Sequence, residues 1–112
     1  MAGLDLSGRR ALLTGGAQGL GQGMAAALAA AGAQVVIGDV QIEAGEAAAD
    51  ALGEGHGFVA LDVTDEGSWE NAVVATTQML GGLDVLVNNA GIEITSLVVD
   101  VDPADVQRQQ IG

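Results

Sequence analysis

Four short apolar runs punctuate the chain, at Arg10–Thr14, Gln34–Gly38, Gly57–Leu61 and Leu83–Asn88. "QVVIG" and "LDVLVN" are nearly continuous in β-branched residues and leucine, the pattern of a strand covered on both faces. Longer stretches at helical spacing separate the runs. Within Leu20–Ala31, Leu20, Met24 and Leu28 recur four apart, and Gly32 stands where a left-handed C-terminal cap belongs. Ile42–Leu52 reads as a second, more exposed helix. Glu66–Leu80 reads as a third, with Trp69, Val73, Thr76 or Thr77, and Leu80 on one stripe. "DPADVQRQQIG" opens a fourth, with Asp102 as N-cap and Pro103 at the first helical position. Strands thus alternate with helices long enough to cross over between them. That order predicts an α/β protein, a doubly wound parallel sheet with right-handed connections.

Composition narrows what such a sheet is built from. At 112 residues the chain suits one domain, and 49% of it is hydrophobic, with one Phe, one Trp and no Tyr. Aliphatic and small residues therefore do the packing, which favours closely spaced layers. Fifteen acidic residues against three Arg, with no Lys, leave a formal charge of −12. A field of that sign repels nucleic acid and anionic membranes, so neither is an expected partner. The absence of Cys excludes a disulfide framework and a thiolate metal site and fits a cytoplasmic setting. No signal peptide or membrane-span pattern is present. The expectation is a soluble, cytoplasmic protein.

"LLTGGAQGLGQG", Leu12 to Gly23, lies where the first strand should end and the first helix begin. At a helix N-terminus, backbone N–H groups lack intrahelical partners and the dipole is positive, so an anion docks there without Lys or Arg. Glycines let the chain turn sharply and let a phosphate approach the main chain. In a chain this rich in glycine the spacing alone is weak evidence. The position between strand and helix carries more weight. Asp39, 18 residues after Gly21, ends the second strand, where a dinucleotide fold places an acid for the ribose hydroxyls. A 2′-phosphate about 4 Å from that carboxylate would meet roughly 4 kcal/mol of repulsion at an effective dielectric of 20. Neither Val40 nor Gln41 offers a compensating charge, so NAD is favoured over NADP.

The common G-x-G-x-x-G spacing fails, because Met24 stands where its third Gly belongs, and a phosphate-binding P-loop fails for want of Lys. The chain instead has T-G-x-x-x-G-x-G at Thr14, Gly15, Gly19 and Gly21. "LDVTD" follows, with Asp62 and Val63 after the third strand, then "NNAG", Asn88 to Gly91, after the fourth. This combination closely resembles the short-chain dehydrogenase/reductase family, from "LDLSGRRALLTGG" to the last residue. The resemblance implies a Rossmann-type sheet of about four strands in the order 3-2-1-4. It implies that Gly15, Gln18, Gly19, Leu20 and Gly21 hold the pyrophosphate and nearby ribose. Asp39 would take the adenosine ribose, and Asp62 with Val63 would border the adenine. Asn89, Ala90 and Gly91 would run along the cofactor, while Asn88 ties strands together. The implied partners are NAD(H) and a small alcohol or carbonyl substrate, in an enzyme that assembles as a homo-oligomer.

The departures from the family are as informative. Its members carry a catalytic Ser and then a Y-x-x-x-K motif, yet Tyr and Lys are absent throughout this chain. Ser96 follows "NNAG" too soon to match the catalytic Ser. The ending resembles the helix that carries the family's structural-catalytic Asn, but stops short of it. The expectation is therefore the N-terminal, cofactor-binding half of a longer enzyme, able to bind a nucleotide and unable to transfer a hydride. Other candidates read as structural. His56 is a turn residue with no second His or Cys to complete a metal site, and Trp69 is packing. Asp65 and Glu66 are helix N-terminal charges, and Glu93, after "NNAG", is a weak candidate to face substrate.

Two rival readings exist. A class I S-adenosylmethionine-dependent methyltransferase also has a glycine turn after its first strand, but usually an acid just before it. Here Leu12, Leu13 and Thr14 stand there. A stand-alone, non-catalytic nucleotide-binding module would leave the fourth strand as an open apolar edge, an aggregation hazard.

Overall fold

A computed structural model describes residues 5–89 and, as backbone only, residues 93–99. Strands β1 (Arg10–Thr14), β2 (Gln34–Asp39), β3 (Gly57–Ala60) and β4 (Leu83–Asn88) alternate with helices α1 (Gly19–Ala30), α2 (Ile42–Leu52) and α3 (Glu66–Leu80). The four strands pair in parallel in the order β3-β2-β1-β4, as the family resemblance implies. β1 is central, with Leu12 level with Val36 on one side and Leu86 on the other.

Side chains alternate across this sheet into two separate cores. Leu12, Val36 and Leu83 face α3, where they meet Leu61, Ala72 and Val73. Leu13, Val35, Ile37 and Val87 face the other way, against Ala25, Ala33, Ala48 and Ala49. Burial on both faces is the reason β2 reads as an unbroken apolar run, whereas β4, which reads the same way, is fully buried only at Leu83 and Val87 and half-buried elsewhere. The alanines keep α1 and α2 close to the sheet. Gly45 takes this to its limit, since a Cβ there would overlap the Phe58 ring on β3.

The α1 stripe differs from the expected one. Leu20 is 69% exposed, and the residues turned inward are Gly21 and Ala25, with Met24 and Leu28 partly covered. The helix needs small residues where it crosses the glycine loop, so its first large apolar residue is left outside. At its other end Gly32 has φ +105°, its N–H bonds Ala29 O at 3.0 Å, and Ala33 N–H bonds Leu28 O at 3.1 Å. This is a Schellman arrangement, with the left-handed cap expected at Gly32 at its centre. α3 is capped by Asp65, which accepts Gly67 N–H at 3.0 Å, and ends at left-handed Gly81. Thr76 and Thr77 are tolerated on its buried face because their hydroxyls donate to Ala72 O and Val73 O, each at 2.7 Å. Trp69 packs on the same core and donates its indole N–H to Val63 O at 2.8 Å.

A fifth strand, β5 (Glu93–Val99), joins the sheet beyond β4 and runs antiparallel to it, Asn88 opposite Glu93 and Leu83 opposite Val99. No strand was expected there. The link between the two strands is far too short for a crossover helix, so a following strand can pair only by folding back. The β4 edge is therefore paired, not open. The helix expected from Asp102 lies outside the described residues.

Candidate functional site

The carboxyl ends of the four parallel strands share one edge of the sheet, and those of β1, β2 and β4 are bonded together around the glycine loop. Thr14, buried at the end of β1, donates its hydroxyl to Asn88 Oδ1 at 3.0 Å and accepts Asn89 N–H at 3.1 Å. Asn88 thus ties β1 to β4, in line with the expectation for it. Gly15 N–H bonds Gly38 O at 2.8 Å, anchoring the loop to β2 as well.

From there the backbone turns through left-handed Gly15 (φ +70°) and Gly19 (φ +59°) into α1. Gly21 lies directly beneath the Gly15 carbonyl, where any Cβ would overlap the oxygen, and Asn89 Nδ2 reaches that same oxygen at 3.4 Å. Gly15, Gly21 and Asn89 are one packed unit. Gly19 is the opposite case, with nothing within 4 Å of where a Cβ would stand. The N-cap of α1, Gln18, makes no side-chain cap bond, and no acid lies in the first turn. α3, by contrast, has both an Asp cap and Glu66.

Asp39 closes one side of the loop. It is 8% exposed, and its two oxygens divide between two backbone donors, Ala17 N–H to Oδ2 at 3.2 Å and Gln41 N–H to Oδ1 at 3.0 Å. A carboxylate has about four acceptor sites, so capacity remains for a ligand's hydroxyls. Asp62 stands exposed after β3 and accepts both the hydroxyl (2.6 Å) and the N–H (2.9 Å) of Thr64. These bonds, the hydroxyl's first, hold its carboxyl below the usual range.

Leu20, Val40, Ile42 and Val63 are the exposed large apolar side chains along this edge. In the sequence Val40 counted only for its lack of charge and Ile42 only as the start of a helix, not as site residues. Their signal was present: two apolar residues flank Gln41 just where a strand exit is normally polar. Among the described residues the cations are Arg9 and Arg10, at the opposite, amino end of β1. His56 also lies at that end, its Nδ1 accepting Val35 N–H at 3.0 Å, a structural role for the expected turn residue. Glu93 and Ser96 fall on β5, where only the backbone is described, and Ala90 and Gly91 lie outside the described residues. Among the described residues no group of three or more His, Asp or Glu could hold a metal ion. No helix among them is long and apolar enough to cross a membrane.

The sequence model described as short chain dehydrogenase matches residues 9–110. The chain belongs to the short chain dehydrogenase family. It is 43% identical over 103 residues to a 3-alpha-(or 20-beta)-hydroxysteroid dehydrogenase of Mycobacterium tuberculosis, covering 92% of this chain and 40% of that protein. It is 46% identical over 95 residues to the 2,5-dichloro-2,5-cyclohexadiene-1,4-diol dehydrogenase LinX of Sphingobium indicum, covering 78% and 36%. Among solved structures, a 3-ketoacyl-(acyl-carrier-protein) reductase from Brucella melitensis complexed with NADH superposes with a TM-score of 0.71 at 38% identity. That match covers 73% of this chain and 34% of the reductase. The chain thus has the Rossmann-type fold of short chain dehydrogenases and spans well under half the length of these relatives.

Proposed function

We propose that residues 1–112 form the cofactor-binding half of an NAD-dependent short chain dehydrogenase acting on a small alcohol or carbonyl compound. The observation that carries this reading is Asp39, a nearly buried carboxylate bonded to the glycine loop, with no cation near it among the described residues. The surroundings fit a dinucleotide. The first turn of α1 is left to an anion by its missing side-chain cap, and the open face at Gly19 gives a pyrophosphate access to the backbone. Gly15, Gln18, Gly19, Leu20 and Gly21 would hold that group. Asp39 would accept from the adenosine ribose, with Asp62, Val63, Val40 and Ile42 around the base. Asn89, Ala90 and Gly91 would border the rest of the cofactor.

When bound, the nicotinamide supplies the hydride acceptor or donor. The chain's own residues bind and orient it, and with neither Tyr nor Lys in the sequence they provide no family-type acid–base pair. Self-association and a cytoplasmic setting belong to the same reading, resting on the family resemblance and the lack of Cys.

Titration with NADH and NADPH, followed by Trp69 fluorescence, tests the proposal. The chain should prefer NADH, and Asp39→Ala should weaken NADH binding and narrow the gap to NADPH. An unchanged preference removes Asp39 from the site. Incubation with NAD and a panel of alcohols should give no turnover, and robust activity would refute the assignment of this chain as the half without the acid–base pair.

A further inference from the structure

Gln18 and Gln41 are the N-cap residues of α1 and α2, and neither side chain caps its own helix. Each spends its amide on the other: Gln18 Nε2 donates to Gln41 Oε1 across 23 positions of sequence. The bond closes a ring around Asp39, whose carboxylate already holds Ala17 N–H on the glycine-loop side and Gln41 N–H on the β2 side. Short polar side chains are the usual N-caps because they reach back to the helix's first N–H groups. Glutamine is one methylene longer and carries both donor and acceptor, which suits a bridge between two loops. Both residues are exposed, so their bond adds little to folding stability. Its consequence is local: it fixes the distance between the two loops and keeps the Gln18 amide away from the first turn of α1.

Resting on the reading that NAD binds at this edge, we propose that Gln41 is a positioning residue for the dinucleotide, acting through Gln18. The clasp presets the gap between the glycine loop and the β2 exit, and it leaves the first-turn N–H groups of α1 to the cofactor's phosphates. Preorganisation of this kind appears as affinity because the ordering is completed before the ligand arrives.

The test is NADH titration of the chain and of Gln18→Ala, Gln41→Ala and the double variant, each with its thermal midpoint. Gln41→Ala should weaken NADH binding about three- to ten-fold, the range of one net hydrogen bond, with the midpoint unchanged. In the Gln18→Ala background the same change should cost nothing further. Gln41→Glu, which still accepts from Gln18 Nε2, should restore affinity at high salt, where its added charge is screened. Independent, additive losses, an unaltered affinity in Gln41→Ala, or a weakening that tracks a lowered midpoint would each overturn the positioning role while leaving the NAD reading in place. Failure of the unaltered chain to bind NADH would overturn both.

Discussion

Gly21 and Gly23, two positions apart in α1, have opposite surroundings. A Cβ at Gly21 would overlap the Gly15 carbonyl oxygen and come 2.9 Å from Asn89 Nδ2, while one at Gly23 would meet nothing within 4 Å. Alanine gains about 1 kcal/mol over glycine in a helix interior, so Gly23→Ala is expected to stabilise the chain by about 0.5–1 kcal/mol. At Gly21 the same gain is outweighed, because the loop backbone must move to admit the methyl group. Gly21→Ala should destabilise by about 1–3 kcal/mol and abolish NADH binding. Urea denaturation of the two variants checks the signs. Equal effects would mean that the loop does not rest on α1 as described.

At the scale of elements, the amino ends of β1 and β4 are held by a clamp far from the candidate site. Arg10 Nε and Nη2 donate to the two oxygens of Asp84 at 2.9 and 3.0 Å, Arg10 N–H adds a third bond at 3.0 Å, and Nη1 reaches Gly81 O. The Arg10 bonds hold the Asp84 carboxyl below its usual range despite some opposing desolvation. A depressed folded-state pKa contributes stability that is present above the unfolded value and lost as pH falls through the folded one. Asp84→Asn should therefore cost about 1 kcal/mol at pH 7, the pair being partly exposed. The difference should shrink as pH falls through the carboxylate range, and a constant difference would refute the linkage.

Nothing in the local sequence joins residues 74 apart, so this clamp was not legible beforehand. What could be read was periodic and local. β1, β4, α2 and α3 occupy the expected residues: apolar runs mark the strands, helical spacing marks α2, and an apolar stripe behind an acidic N-terminus marks α3. β5 was missed because its pairing follows from a short connection rather than from a pattern of its own. Leu20 was misplaced because its spacing suits a core stripe, while the crossing of loop and helix demands Gly21 inside. At the site, the glycines and Asp39 were visible as a spaced motif. The Gln18–Gln41 bridge was not, since two glutamines form a site only once the fold brings them together.

Over the whole molecule, charge sets how an anionic ligand is received. The net charge is −12 and the longest extent is 37 Å. At about 0.01 M salt the Debye length is roughly 30 Å, so most of the molecule's charge acts on an incoming dinucleotide; at about 0.15 M it is roughly 8 Å. The attractive contacts proposed at the glycine loop are backbone N–H groups and a helix terminus at touching distance, which salt screens far less than the long-range repulsion. NADH affinity should therefore rise with ionic strength between these limits, the reverse of a basic, phosphate-gripping site. Titrations of NADH across that salt range decide the matter. A fall in affinity would place a cation beside the bound phosphates and end the argument that an uncapped helix and glycine backbone suffice to hold them.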